Sequence, residues 1–302
     1  VRLDPGIKYV VIDGKKRSGF KIHGWKGNGV RFFSDDIDNG INDNPANITL
    51  RYLEIFNNGD IERQDDGVIQ DLYYPLHSRP GVNIAGSGHL FDHLEIHDNA
   101  GDAIQSGFTN PAGGTFNNLD DLTITNSWFY NSRPHSGQDN SPPGEVCTLN
   151  DLSGCDELGA PHMARDYQFY PSFPTNRRES FNWCVHSDGI QLYSSEDFNN
   201  LTIKQSIIGP NFMNGLILGE SAGGTQSAWV NNLELEDVVI TRYMHNALGM
   251  NNREGQSGSN WNLNHVTMYG HYNNLHKGSL QLDLVNNTGG HSVRNSYKIY
   301  GQ

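Results

Sequence analysis

A nine-residue pattern recurs six times along the chain, as NITLRYLEI (47–55), GHLFDHLEI (88–96), DLTITNSWF (121–129), NLTIKQSII (200–208), NLELEDVVI (232–240) and NWNLNHVTM (260–268). Its second, fourth, seventh and ninth residues are apolar or small in most copies, the alternation of a strand with one buried face. A shorter motif follows in fixed order: PGVNI (80–84), DAIQS (102–106), DGIQL (188–192), NGLIL (214–218), NALGM (246–250) and GSLQL (278–282). Its central residues Val82, Ile104, Ile190, Leu216, Leu248 and Leu280 are expected to face inward. They lie 22, 86, 26, 32 and 32 residues apart. Apart from the 86, these intervals fit a coil of about two to three dozen residues, the period of a solenoid. A propeller blade needs four strands and roughly 40–50 residues, more than these repeats offer. The expectation is therefore an all-β, right-handed parallel β-helix, one domain over 1–302, in which each coil packs only on its neighbours.

Details of the repeat support this. Asn leads the pattern at 47, 200, 232 and 260, where stacked amides bond from coil to coil and satisfy backbone groups at a tight corner. YVVIDG (9–14), GFKIHG (19–24) and GVRFF (29–33) read as the three strands of a first coil. The outlying interval leaves an insertion of about 50 residues, roughly 131–181, once an ordinary coil is subtracted. A loop of that length in a compact domain is usually a lid or groove wall.

Composition removes other classes. The chain has 34 Gly, 18% charged and 10% aromatic residues, too rich in glycine for a helical protein and too low in charge for a disordered one. Its formal charge is −13, with 21 basic against 34 acidic residues, so a nucleic-acid partner is not expected. An anionic polymer remains an acceptable ligand if basic side chains or Ca²⁺ line the site. No apolar run reaches the roughly 18 residues of a membrane span. Cys147 and Cys155, in a Pro/Gly-rich stretch, have the spacing of a loop disulfide, which fits a secreted or cell-surface location. The chain opens without a signal peptide, so any such leader is expected to have been removed or omitted.

The short motifs carry the candidate chemistry. Asn83, Gln105, Gln191 and Gln281 are expected outward on one sheet, in a column interrupted by Ile217 and Gly249. Amides of this kind pair with sugar hydroxyls as donor and acceptor. Asp102 and Asp188 precede equivalent strands and stand one rung, roughly 4.8 Å, apart if their coils are neighbours. Such a pair shares a proton, binds a cation or works as nucleophile and acid; alternatively each caps a corner through backbone amides. His186 lies two residues before Asp188 and is a candidate acid or base. Glu220, at the end of the next short strand, is a further candidate. Arg79, Arg177 and Arg178 are candidates for gripping carboxylates, which guanidinium groups match with two parallel hydrogen bonds.

The Asn-led strands and the run from His186 to Asn214 resemble the pectate-lyase-like superfamily of parallel β-helix carbohydrate enzymes. HSDGIQ (186–191), followed by NNLTIKQSI (199–207), is similar in layout to polygalacturonases, in which an Asn-Thr-Asp-Gly strand carries a catalytic Asp. Asp188 matches that residue, while Met213-Asn214 stands where the family's next coil carries an Asp pair. SRPG (78–81) is a fragment of the arginine-proline pattern of pectate lyases. The resemblance implies a polysaccharide substrate.

Three functions follow as expectations. The first is β-elimination on a uronate-containing polymer, with Arg or Ca²⁺ neutralising the carboxylate and a base such as His186 taking the proton at C5. The second is glycoside hydrolysis by two of Asp102, Asp188 and Glu220, with carboxyl groups about 5–5.5 Å apart for retention or about 6.5–9.5 Å for inversion. The third is a solenoid that binds or adheres to polysaccharide without cleaving it.

Overall fold

A computed structural model describes residues 1–4, 6–25, 27–32, 44–58, 62–63, 73–74, 80–99, 101–106, 119–130, 188–194, 198–210, 212–220, 230–241, 243–251, 259–270 and 292–300. Over these residues the chain is all β. It coils as β1 (Arg2–Leu3), β2 (Val11–Asp13), β3 (Phe20–His23); then β4 (Val30–Phe32), β5 (Thr49–Arg51), β6 (Leu53–Phe56), followed by a small hairpin of β7 (Glu62–Arg63) and β8 (Tyr73–Tyr74). The next turns are β9 (Val82–Ile84), β10 (Leu90–Asp92), β11 (Glu95–His97), and β12 (Ile104–Ser106), β13 (Leu122–Thr125), β14 (Trp128–Tyr130). Longer strands follow: β15 (Asp188–Ser194), β16 (Phe198–Ile208), β17 (Phe212–Glu220), β18 (Val230–Thr241) and β19 (Tyr243–Asn251). The last are β20 (Asn262–Asn264), β21 (Thr267–Gly270), β22 (Ser292–Arg294) and β23 (Tyr297–Tyr300).

Stacking places these strands in three columns, and the coil is the parallel β-helix that the repeat predicts. The first column is a seven-stranded sheet in the order β1-β4-β9-β12-β15-β17-β19. The other two form one sheet folded along a corner. Its second column runs β2-β5-β10-β13 and its third β3-β6-β11-β14, and both continue through β16, β18 and the closing strands. Every strand pairing is parallel except that of β7 with β8.

In four copies, at 47–55, 88–96, 121–129 and 260–268, the nine-residue pattern is two strands meeting at a corner; at 200–208 and 232–240 it lies within one long strand, β16 and β18. Its first residue is left-handed in every copy, at Asn47, Gly88, Asp121, Asn200, Asn232 and Asn260, with φ between 54° and 72°. Its sixth is left-handed too, at Tyr52, His93, Asn126, Gln205, Asp237 and His265, with φ between 48° and 56°. In the four split copies one short strand lies between the two left-handed residues and another follows the second. The apolar residues at two and four, then seven and nine, are the inward residues of the two strands. Asn tolerates positive φ better than most residues, and stacking rewards it further. Asn200 donates to Asp121 at 2.7 Å, Asn232 to Asn200 at 2.9 Å and Asn260 to Asn232 at 3.0 Å.

Apolar residues from all three columns fill the coil interior in stacks. Val82, Ile104, Ile190, Leu216 and Leu248 line it from the first column, Leu50, Phe91, Ile124, Ile203, Leu235 and Leu263 from the second, and Ile55, Ile96, Phe129, Ile208, Ile240 and Met268 from the third. Three buried polar residues join them. The Ser127 hydroxyl accepts from the Leu94 amide and Ser206 from the Ser127 amide. His89 accepts from the Ile48 amide at 3.2 Å and meets the Ala85 carbonyl at 3.1 Å.

Candidate functional site

The first column places the amide-bearing candidates in register. Asn83 pairs with Gln105, Gln105 with Gln191, Gln191 with Ile217 and Ile217 with Gly249. Since their neighbours in each strand point into the core, these residues face away from it. Gln105 and Gln191 are nevertheless only 4% and 6% exposed, whereas Asn83 is half-buried.

A polar network ties the two glutamines to the aspartates. Gln105 Nε2 donates to Asp102 Oδ2 at 2.7 Å and to Gln191 Oε1 at 2.9 Å. Gln191 Nε2 donates to Asp188 Oδ2 at 3.1 Å. The other carboxylate oxygens hold the rung beyond: Asp102 Oδ1 accepts the Asp188 amide at 2.7 Å, and Asp188 Oδ1 accepts the Asn214 amide at 3.1 Å and its Nδ2 at 2.7 Å. Asp102 is 1% exposed and Asp188 0%. Asn214, where the resemblance leads one to expect an acid, is a donor to the carboxylate below it. An aspartate there would set two buried anions against one another.

The residue after each of these is small for a reason of space. A Cβ on Gly189 would lie 2.4 Å from Ile208 Cγ2 and 2.5 Å from the Gly215 carbonyl, and one on Gly215 would lie 2.2 Å from Ile240 Cγ2. The Asp-Gly-Ile-Gln sequence is thus dictated locally by a corner in which successive rungs touch.

Other candidates lie elsewhere. Glu220 ends β17 in register with Ser194, six residues beyond the pairing of Asp188 with Asn214. At the rise of a strand this is roughly 20 Å, so the two acids stand on opposite edges of the first column. His186, Arg79, Arg177, Arg178, Gln281, Cys147, Cys155 and the 131–181 insertion lie outside the described residues. Among the described residues no three or more His, Cys, Asp or Glu side chains are grouped so as to hold a metal ion.

The segments that connect the third column to the first differ in length: 25 residues from β6 to β9, six from β11 to β12 and 57 from β14 to β15. The Asp102–Gln105 network begins at the shortest of these three corners.

Beside that corner is a cluster that the sequence reading missed. Glu54, Glu95 and Trp128 are in register on the outer face of the third column, as are His23, Phe56, His97 and Tyr130. The His97 ring is sandwiched between Phe56 at 5.1 Å and Tyr130 at 4.6 Å, nearly parallel to both. Its Nδ1 meets Asp98 Oδ2 at 2.7 Å and its Nε2 meets Glu54 Oε1 at 3.4 Å. With a carboxylate at each nitrogen, the imidazolium is the form that satisfies both. Burial opposes that charge, but the bonds to Asp98 and Glu54 outweigh it and the pKa is raised. Burial likewise pushes against the Glu54 carboxylate, yet hydrogen bonds from Lys21 (2.7 Å) and His97 hold its pKa down. Burial and a 2.8 Å hydrogen bond to Glu95 raise the Tyr130 phenol above its ordinary range. Outward residues of the paired strands, rather than the apolar ones that define the repeat, were the signal for this cluster.

Neither a family model nor a curated protein matches the sequence. Among solved structures, one of the pectate lyase Pel9A aligns with 97% of this chain at 11% identity and a TM-score of 0.39. This chain spans 54% of that one.

Proposed function

We propose that the chain binds an acidic, uronate-containing polysaccharide along its first column and depolymerises it, by β-elimination ahead of hydrolysis. The observation that carries this reading is the registered amide column Asn83–Gln105–Gln191 on the first column. A long solenoid face suits a polymer better than a small metabolite. In this reading Asn83 contacts the sugar, Gln105 and Gln191 set the floor beneath it, and Asp102 and Asp188 are positioning residues. Their burial and their bonds to amides support elimination over a two-carboxylate hydrolysis, which needs both acids on the substrate. Glu220, an edge away, is assigned no partner in that chemistry. His186 is the proposed base, and Arg79, Arg177 and Arg178 the proposed grips on the uronate carboxylate.

The test follows ultraviolet absorbance from a new C4–C5 double bond together with reducing ends, on a panel of uronate polymers with and without Ca²⁺. Both signals rising is the expected result. Reducing ends without absorbance would replace elimination by hydrolysis, and neither signal on any polymer would remove the cleavage reading.

A further inference from the structure

Two polar groups share the short corner from β11 to β12. At its start the His97 ring meets Asp98 Oδ2 and Glu54 Oε1; at its end Asp102 holds Gln105 Nε2 and the Asp188 amide. Six residues, 98–103, join the two strands, and they are packed closely. Asp98 is left-handed, with φ 51°. Asn99 is buried; its Oδ1 accepts from the Asn58 amide at 3.1 Å and from Asn58 Nδ2 at 3.0 Å, and its own Nδ2 donates to the Ile55 carbonyl at 3.0 Å. The rung below touches both halves of the corner at once. A Cβ on Gly81 would lie 2.4 Å from Ile96 Cγ2, 2.8 Å from Asn99 Nδ2 and 3.0 Å from the Ala103 carbonyl, while the Gly81 amide donates to the Asp102 carbonyl at 3.0 Å. Packing this close has little slack in which to absorb a movement.

The ring that begins this corner has two states with different holds on it. Around it stand Lys21 and His23 from β3, Glu54 from β6, Glu95 and Asp98 from its own strand and turn, and Tyr130 from β14, with Arg17 reaching Glu95 from the loop between β2 and β3. Glu54 is also bound by Lys21 at 2.7 Å, and Glu95 by Tyr130 at 2.8 Å and Ser18 at 3.1 Å. Among the described residues Asp98 has no hydrogen-bond partner other than His97. The imidazolium donates to Asp98 and Glu54 together, whereas the neutral ring keeps one donor. A bond that remains to Asp98 then loses the charge on its donor, and such bonds are roughly half as strong. Deprotonation therefore frees the carboxylate that opens the corner, while Glu54 and Glu95 keep other partners.

We propose that His97 is a positioning residue for the amide floor of the first column: its charged ring fixes the corner through Asp98, and with it Asp102, Gln105 and Gln191, so that sugar binding is tight with the ring protonated and weakens when it is neutral. This rests on the reading of the first column as a polysaccharide site, and it supplies a control on that site from the neighbouring column. Coupling between separate groups is carried by packed contacts that join a two-state element to the site. Here the element is the imidazole and the contacts run through Asp98, Asn99 and Gly81 to Asp102. Since the hydrogen bonds to Asp98 and Glu54 raise the His97 pKa above 6.5, the weakening comes as pH rises through that higher value.

The experiment follows the His97 ring and the side-chain amides of Gln105 and Gln191 by nuclear magnetic resonance from about pH 6 to about pH 9, a range in which uronate carboxylates stay ionised. Kd for polygalacturonate is measured by calorimetry at both ends of the range. The proteins are the wild type, His97→Phe, which keeps a ring in the stack without a charge, and Asp98→Asn, which keeps a residue tolerant of the left-handed region without the anion. In the wild type both amides should shift with the midpoint of the His97 ring, and Kd should rise about fivefold from the acid to the alkaline end, as expected for weakening one charge-assisted bond. His97→Phe should give static amides and a constant, weaker Kd. Asp98→Asn should do the same while its His97 ring still titrates. Amides that stay still as His97 titrates, or that shift equally in His97→Phe, would overturn the proposal even if the chain binds and cleaves the polymer. A wild-type Kd that is constant with pH would overturn it as well. Amides that follow His97 in a chain that binds no anionic polymer would leave the coupling standing and remove the polysaccharide reading.

Discussion

His89, inside the coil at the start of the second column, and His97, on the outer face of the third, respond to pH in opposite directions. His89 is inside the coil, against Phe32, with one ring nitrogen accepting from an amide and the other facing a carbonyl, so only the neutral ring fits. Burial pulls its pKa from 6.5 down to about 4. Between those values the unfolded chain binds the proton and the folded one does not. Stability therefore falls as pH drops through this window, by roughly 3 kcal/mol in all. His97 is raised above 6.5, so its stabilisation is complete below that pH and is lost as pH rises through the folded value. Urea midpoints followed against pH should decline on both sides of an optimum. Replacing His97 with Gln should remove the decline on the alkaline side alone; an unaltered alkaline limb would mean that the carboxylates around His97 do not hold it charged.

At the scale of the strand and its corner, two substitutions separate the forces at work. Asn232 has a φ of 59° and bonds to Asn200 below and Asn260 above. Asn232→Gly keeps the dihedral and removes the bonds, whereas Asn232→Val also forces a β-branched residue into the left-handed region. The expected loss for Val is about 2 kcal/mol beyond that for Gly, measured by urea unfolding. Equal losses would assign the corner to its amide bonds alone. Gly189→Ala sets a methyl against Ile208 and the Gly215 carbonyl and should cost about 1–3 kcal/mol or more, as overpacking does. A neutral outcome would show that the rungs can separate there.

These same elements show what could be read in advance. The spacing of two, four, seven and nine contains the corner, because the gap from four to seven breaks a period of two. The gap is legible in the sequence, but apolar alternation on either side of it is equally that of a single strand with one buried face. The column Asn83–Gln105–Gln191 followed directly from repeating motifs, since register in a solenoid is set by equivalent positions. That Gln105 and Gln191 are covered did not follow, because burial depends on what crosses the sheet from distant segments. The His97 cluster escaped for a related reason. Its members come from β6, β11 and β14, and each strand alone shows only an ordinary alternation of polar and apolar residues.

At the scale of the molecule, each coil depends on its two neighbours, and among the described residues no strand pair reaches farther than the next rung. Hydrogen exchange should therefore grade along the axis, slowest in the coils of β16 to β18 and fastest towards the first coil. Uniform protection would mean that the solenoid opens as one unit. Parallel pairing also directs the hydrogen bonds between strands along the axis, with β1 at one end and β22 and β23 at the other. A pull on the two ends would load these bonds in series, one rung at a time, rather than all together in shear. Under an optical trap the chain should extend in steps, each releasing one coil. For the interval of 32 residues from Asn200 to Asn232 that step is roughly 110 Å. Mechanically, the fold is a zip fastener rather than a rope.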